Sequence, residues 1–528
     1  MKKWNSYKNH ISQQTYDSII IGSGIGGLCT AALLSMQGES VLVLEKHFKI
    51  GGWTHTFRRN NYEWDVGLHY IGQVNKPHSA VRKLFDLISG GQLEWCSMDS
   101  NYDRIIFPDR AYDFHAPKSQ FIDDMIKYFP NDESAVLTYM NLLDSAVKSS
   151  RSYFSQKIFS GVMDSVTYPF MARKFLKYSD KTTLDVLQSL TTNKKLIGAL
   201  TGQWGDYGLP PAQSSFAMHA LVAKHYLDGG NYPRGTSRRI AETISDVIEK
   251  NGGKLIVNAG VSKILISGGK AMGVLMENGD KIISKNVVSG VGVVNTFAKM
   301  VEDSSLGNLS IEKRLKNIKQ TKSYVCLHLG LKKSAKDLKL KNTNLWIYPG
   351  YDHDLSVKNY LDNPESEFPL VYVSFPSAKD DTWDEKHPNS TTIEAIIPSR
   401  MSWYSKWEDM EWKKRGEEYE AHKARLSKTI LDVIVEHVPN IKDSIDYQEL
   451  STPLTVRDLA NYSRGEIYGL DHSPKRFRER WLRPSSGIKH LFLTGQDVTT
   501  VGVTSALFSG LLTASSVMKK DLSVLLKS

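Results

Sequence analysis

The chain has 528 residues, with 67 Lys+Arg against 57 Asp+Glu and a formal net charge of +10. Its 41% apolar and 23% charged residues are ordinary globular values, which excludes wholesale disorder and suggests roughly two to four structural units. Three cysteines without a CxxC pair exclude a disulfide framework and a cysteine zinc site, fit a reducing compartment, and leave no metal centre to expect.

The opening MKKWNSYKNHISQQ lacks an apolar signal core, which argues against secretion by that route. Asp17 to Glu45 then reads as strand, turn, helix and strand. These are the apolar run Ser18–Ile21, a glycine loop from Gly22 to Gly27, a helical pattern through Leu34, and Val41–Leu44. From about Pro117 to Leu227 the pattern is mostly helical. Arg238 to Lys250 is an amphipathic helix, Lys254–Asn258 and Val261–Ile266 are strand-like, and Gly268-Gly269 and Asn278-Gly279 are hairpin turns. Strands alternate with turns to about Phe375, Trp403 to Val438 is a long charged helical stretch, and the C-terminal segment returns to strand and helix. Val498 to Met518 carries no charge, but eight of its 21 positions are Ser or Thr, so it reads as a buried helix and not a membrane span.

Gly22-x-Gly24-x-x-Gly27 is weak as a bare pattern, but here it follows a strand, opens a helix and precedes an acid, Glu45, at the end of the next strand. Gly22 allows the tight turn, Gly24 lets the backbone approach a pyrophosphate, and Gly27 lets helix and strand pack closely. Ser23, Ile25 and Gly26 complete a loop whose helix N-terminus offers free N–H groups and partial positive charge. Glu45, with Lys46 beside it, is placed to accept hydrogen bonds from ribose hydroxyls. A second glycine pair, Gly51-Gly52, followed by Trp53 and Thr54, is typical of FAD proteins of the glutathione-reductase type. The C-terminal run Thr494-Gly495-Gln496-Asp497 resembles the carboxylate element that holds ribityl and pyrophosphate there. The following helix would aim its N-terminus, near Val503 and Thr504, at the flavin pyrimidine. One dinucleotide motif at each end of the chain, closing on one cofactor, favours FAD over NAD.

Nearly end to end, the chain resembles the retinol saturase group within the carotenoid desaturase/isomerase and amine-oxidase-like flavoproteins. The resemblance is carried by the glycine motifs, Gly67-Leu-His-Tyr-Ile-Gly72, Tyr232-Pro-Arg-Gly235, Phe375-Pro-Ser-Ala-Lys-Asp380, Tyr468-Gly469 with Asp471-His472, and Thr494-Gly-Gln-Asp497. It implies non-covalent FAD, chemistry on a carbon–carbon double bond of a polyene, and a backbone contact from Val261 to the adenine. The group's usual third Gly in the Y-x-x-G-G stretch is Thr236 here, so a different backbone geometry is expected around Tyr232–Ser237.

Saturating an alkene needs a hydride equivalent, which reduced flavin supplies, and a proton donor for the other carbon. His69, Tyr70, His225 and Tyr468 are the candidates for that acid, because His and Tyr carry exchangeable protons and these lie in the resemblance-bearing stretches. The reductant that reloads the flavin, NAD(P)H or another donor or electron-carrying partner, is left open.

The predicted fold is α/β. It comprises a discontinuous glutathione-reductase-like, Rossmann-type FAD-binding domain (1–115, 229–300 and 461–528), a mixed α+β substrate domain (301–460) and a helical segment (116–228). Between Lys148 and Lys181 seven basic and two acidic residues interleave with seven aromatics, which suits either a membrane-surface segment or a solvated helical face over a core. The expected partners are therefore a hydrophobic polyene and a membrane surface, with no nucleic acid, and the expected location is cytoplasmic and peripheral to a membrane. Reduction of one double bond is the favoured reaction. Desaturation or isomerisation of a carotenoid or unsaturated fatty acid is the alternative, and a non-catalytic lipid- or prenyl-binding protein on the same fold is the alternative of another class.

Overall fold

A computed structural model describes residues 2–7, 15–302 and 311–527; most of the opening segment read above for a signal core lies outside them. Strands from the beginning, middle and end of the chain form one parallel sheet, in the order Lys254–Val257, Val41–Leu44, Tyr16–Ile21, Lys281–Ser289 and Leu491–Leu493. Val261–Ser267 and Lys270–Met276 extend it in antiparallel fashion beyond Lys281–Ser289. A parallel sheet must be covered on both faces, which is why Val41-Leu-Val-Leu44 is apolar without alternation and wholly buried.

The helix Ile25–Met36 packs against Arg238–Lys250 and Val503–Met518, so it is apolar nearly all round. Its contact with the C-terminal helix is made by small residues. A Cβ on Gly510 would lie 2.6 Å from the Cβ of Cys29, and one on Gly26 would lie 2.8 Å from the Gly495 nitrogen. Val503–Met518 is a buried helix, and no helix among the described residues is long and apolar enough to cross a membrane.

The second sheet has seven strands, ordered Ile445–Ser451, Ser323–Leu331, Thr391–Ser399, Val371–Ser374, Asn344–Ile347, Asn101–Ile106 and Ala111–His115. The last two correct the sequence reading, which placed residues up to 115 in the nucleotide-binding unit. Asn101–Ile106 instead pairs in parallel with Asn344–Ile347, because its alternating apolar residues pack on the aromatic core of the second unit. One face of this sheet carries the helix Gly416–His437; the other, through Tyr102, Ile105, Trp346 and Tyr372, faces an aromatic interior. The long helical stretch predicted from Trp403 is found as a 3-10 helix, Met401–Trp407, and an α-helix, Gly416–His437, with a break between them where Lys413 takes a left-handed backbone (φ 65°). Helices also interrupt the predicted strand region before Phe375, at Ile311–Asn317 and His353–Asp362.

The segment between the two sheets is helical, as its pattern predicts, but most of its aromatics are not on the surface. Tyr153 and Phe175 are buried in the core, and Phe154, Tyr168 and Tyr178 pack against it. The exposed apolar surface comes from the helix Gly161–Met171, where Val162 is 79% and Phe170 80% exposed while Asp164 points inward.

Candidate active site

The glycine loop is closed by backbone contacts that only glycine permits. Gly22 has φ 89°, and a Cβ on Gly27 would lie 2.4 Å from the Gly22 carbonyl oxygen. Gly52 comes so near that its Cβ would lie 2.9 Å from Gly24 Cα, whereas a Cβ on Gly24 would meet nothing within 4 Å. The free side of Gly24, at the start of the helix Ile25–Met36, is the space that a pyrophosphate approaching this N-terminus requires.

Glu45 is committed differently from the sequence expectation. Its Oε2 accepts hydrogen bonds from the Ser23 N–H (2.9 Å) and hydroxyl (2.6 Å), and its Oε1 accepts from the His47 N–H (2.8 Å). The carboxylate thus pins the loop, and retains capacity for one further donor such as a ribose hydroxyl. Lys46 is exposed and paired with Glu277 at 2.8 Å, so it is a surface residue. Glu277 in turn lies against Gly260, next to Val261, which opens its strand.

Thr54 donates to the Gly51 carbonyl (2.9 Å), and the Trp53 ring lies 6.1 Å from Tyr462. At the other end of the chain the Gly495 N–H donates to Ser509 (2.8 Å). Asp497 accepts from the backbone N–H groups of Val293 (2.9 Å) and Leu470 (3.2 Å), tying three segments together. Val503 begins the last helix, and the buried Thr504 hydroxyl beside it has no hydrogen-bond partner within the chain. A buried unpaired hydroxyl is uncommon in a folded protein, and this one sits where a bound dinucleotide could satisfy it. The glycine cradle, the open side of Gly24 and this orphaned hydroxyl together fit a dinucleotide cofactor.

Beyond the cradle lies an interior rich in tyrosine. Tyr70 stacks on Tyr226 at 4.0 Å, and its hydroxyl lies 3.0 Å from Asp103 Oδ2 and 3.2 Å from Asp206 Oδ2. Asp103 also accepts from Gln203 (2.7 Å) and Asn344 (2.9 Å). Asp206 faces Tyr226, Tyr324, Tyr348, Tyr372 and Tyr468. Burial raises the pKa of all five. The hydroxyls of Tyr324 and Tyr372 are buried without partners. His69, Asp206, Tyr468 and Trp53 keep partial accessibility among buried neighbours, so each borders space that the surrounding side chains leave open.

Lys379 stands behind this space. Its ammonium donates to the His69 carbonyl (2.9 Å), Asn344 Oδ1 (2.5 Å) and the Ser374 hydroxyl (2.7 Å), all neutral acceptors. Burial lowers its pKa to about 7. Burial raises Glu394 to about 8, and raises Asp65 to about 7 with help from the Glu394 charge. Asp65 accepts from the Tyr232 hydroxyl at 2.5 Å and from Ser237.

The four residues proposed as acids separate here. His69 Nδ1 lies 2.9 Å from Glu394 Oε2 without the alignment of a hydrogen bond, and burial lowers its pKa to about 4, so the ring is neutral at pH 7. His225 is held by the backbone of the strand Ile71–Gly72. Its Nε2 accepts the Gly72 N–H at 2.8 Å, and burial holds it neutral with a pKa of about 4. Tyr70 is buried against Asp103 and Asp206, whereas Tyr468 keeps partial accessibility, edge-on to Tyr324 at 5.6 Å. Asp206, Asp103, Glu394 and Lys379 were not found from sequence. The available signals were a lone Glu in the otherwise uncharged run Thr391–Ile397, since an isolated charge in a mostly apolar strand is seldom accidental, and a Lys within Phe375–Asp380.

Thr236 replaces the expected glycine yet keeps glycine's geometry, with φ 75° and 4% exposure. The different backbone expected there is not found. Surrounding contacts hold the chain in place, including Ser237 on Asp65 and the Asp380 carboxylate on the Gly235 N–H (3.1 Å). A β-branched residue held at positive φ costs about 1–3 kcal/mol. Thr236→Gly is therefore expected to stabilise the protein by about 1 kcal/mol after the entropic cost of glycine. Denaturant unfolding measures this, and a lower midpoint would mean that the Arg238–Thr236 hydrogen bond (3.2 Å) outweighs the strain.

Comparison with known proteins agrees with this architecture. Residues 20–87 match the family model of the NAD(P)-binding Rossmann-like domain. The chain is 33% identical to an all-trans-retinol 13,14-reductase of Danio rerio, over 96% of this chain and 86% of that protein. It is 26% identical to prolycopene isomerase 2, chloroplastic, of an Oncidium hybrid cultivar, over 96% of this chain and 84% of that one. A solved putrescine oxidase, 14% identical, superposes with a TM-score of 0.64, covering 96% of this chain and 100% of its own, and so shares the fold. At that identity and coverage to the Danio rerio protein, the chain belongs to the all-trans-retinol 13,14-reductase family.

Proposed function

We propose that the protein is an FAD-dependent oxidoreductase that reduces one carbon–carbon double bond of a hydrophobic polyene of retinoid or carotenoid type. The observation that carries this reading is the junction of a dinucleotide cradle, built from both ends of the chain, with an enclosed tyrosine-lined space containing titratable groups. The cradle residues are Gly22–Gly27, Glu45, Gly52, Trp53, Thr54, Val261, Gly495 and Asp497, with the helix N-terminus at Val503 and Thr504. When bound, reduced flavin supplies the hydride equivalent. The chain's part is to hold the polyene among Tyr226, Tyr324, Tyr372 and Tyr468, exclude water, and deliver a proton to the second carbon.

The test is anaerobic. Purified yellow protein is reduced chemically and mixed with all-trans-retinol, a lycopene-type polyene or a polyunsaturated fatty acid, and products are weighed by mass spectrometry. A gain of two hydrogens with flavin reoxidation supports the reading. Desaturated or isomerised products would favour the reaction suggested by the similarity to a prolycopene isomerase. A protein that stays colourless after FAD is added would favour a lipid-binding role.

Such a substrate resides in membranes, since each buried CH₂ contributes about 0.8 kcal/mol. We assign membrane contact to the helix Gly161–Met171, whose outward Val162, Met163, Val166 and Phe170 are exposed beside exposed Arg173, Lys174 and Lys177. Replacing Val162 and Phe170 by Ser should weaken liposome co-sedimentation at every salt concentration, by about 1.5–3 kcal/mol per side chain. Neutralising the three cations should weaken it only at low salt and on anionic lipid. Unchanged sedimentation of both variants would remove the assignment.

A further inference from the structure

We propose that Asp206, held in its carboxylic acid form against Tyr70, delivers the proton that saturation of the polyene requires. The inference rests on the reading above and adds to it the identity of the acid.

The argument begins with one proton shared between two carboxyl groups. The Tyr70 hydroxyl lies 3.0 Å from Asp103 Oδ2 and 3.2 Å from Asp206 Oδ2, but it has a single hydrogen to donate. Asp103 already accepts from Gln203 and Asn344, a set of donors that stabilises the anion, so the Tyr70 proton belongs to Asp103. Asp206 then faces the oxygen of Tyr70 and can bond to it only by donating, which requires that Asp206 be protonated.

The charge balance agrees. Lys379 is the one ammonium among the buried Asp65, Asp103 and Glu394 carboxyls; Glu394, raised to about 8, keeps its proton at pH 7, and the Lys379 charge is already matched by Asp103 and the part-ionised Asp65, so Asp206 as a further anion would lack compensation. The groups facing Asp206 are Asp103, Lys379, Tyr70, Tyr226, Tyr324, Tyr348, Tyr372 and Tyr468. Burial first, and then the Asp103 charge, raises the Asp206 carboxyl well above the ordinary range. Unlike Asp103, Asp206 keeps partial accessibility and borders the tyrosine-lined space.

In the proposed step the π bond of the alkene is lost and two C–H bonds form. One carbon receives two electrons and a hydrogen as hydride from reduced flavin, and the other receives H⁺ from Asp206. The resulting carboxylate regains its proton from water, with Tyr70 and Asp103 behind it holding its position.

Infrared difference spectroscopy tests the stored proton without turnover. At pH 7 the wild-type holoprotein should show, beside the band of the protonated Glu394, a second protonated-carboxyl C=O stretch that shifts in D₂O, is lost in Asp206→Asn and returns at a shifted frequency in Asp206→Glu. A wild-type protein lacking the band, or an Asp206→Asn variant retaining all of it, would overturn the proposal. Single-turnover reoxidation of reduced enzyme by the polyene should slow on the order of 100-fold or more in Asp206→Asn. It should recover in part in Asp206→Glu, with the yellow colour kept throughout. An unchanged single-turnover rate would overturn the delivery step. If wild-type enzyme shows the band but saturates no polyene, the function reading and the delivery step fail, while protonation of Asp206 stands.

Discussion

A Gly24→Val variant is expected to fold normally and to be purified colourless. A Cβ at Gly24 would meet nothing within 4 Å in the protein itself, and the residue's backbone (φ −60°, ψ 165°) is open to any amino acid. The cost therefore falls on the cofactor, whose pyrophosphate would occupy that space. Overpacking there by about 1–3 kcal/mol weakens binding by roughly 10- to 100-fold, and more if the phosphate loses its approach to the helix N-terminus. The control is Gly27→Val, whose Cβ would lie 2.4 Å from the Gly22 carbonyl oxygen and which should lower the melting temperature whether or not flavin is present. Equilibrium dialysis with FAD and thermal unfolding of both variants separate the two effects. A yellow, stable Gly24→Val protein would show that the cofactor does not pass this residue.

How far the site could be read from sequence follows from the range of its interactions. The glycine loop, the helix Arg238–Lys250 and the strands Lys254–Val257 and Val261–Ser267 were legible because each is set by local turn chemistry and periodicity. Membership of Asn101–His115 in the second sheet was not legible, because its partner Asn344–Ile347 is more than 200 residues away and alternation does not name a partner. The aromatic-basic segment was legible as composition but not as orientation. Tyr153 and Phe175 face the core, and the exposed apolar residues Val162, Met163, Val166 and Phe170 lie on the helix Gly161–Met171 within the same segment. His69 and Tyr70 were singled out because His and Tyr are conspicuous near a glycine motif. Asp206, Asp103 and Lys379 were missed because their chemistry comes from being buried together, and Asp and Lys look ordinary until their neighbours are known.

Asp164→Ala should release the helix Gly161–Met171 from the body of the protein while leaving the rest folded. Asp164 is the one fully buried residue of this helix; Tyr168 packs half-buried against the core, while Val162, Met163, Val166 and Phe170 face outward. Asp164 is gripped by Gln156 Nε2 (2.6 Å), Arg483 (2.7 Å) and Arg480. Nearby Lys157 is buried and donates to the Leu482 carbonyl, and its pKa is lowered well below the usual range by burial and by the Arg483 and Arg476 charges. Removing the carboxylate leaves Arg483, whose side chain is only 7% exposed, and Lys157 without their anion. Breaking a buried pair in this way costs about 3–5 kcal/mol, and the lower end applies here because Arg480 is half-exposed. Burial alone would raise the Asp164 pKa, but the hydrogen bonds from Gln156, Arg483 and Arg480 overcome it and leave the pKa lowered. A depressed folded-state pKa contributes stability above the unfolded value of about 4 that is lost as pH falls through the folded one. The wild-type helix should therefore loosen only in acid, whereas the Asp164→Ala helix should be loose at pH 7. Limited proteolysis followed by mass spectrometry reads this directly, as a new cleavage between residues 157 and 173 in the variant at neutral pH and in wild type only at low pH. Equal protection of both proteins at pH 7 would mean that outward apolar contacts, and not the carboxylate, hold the helix in place.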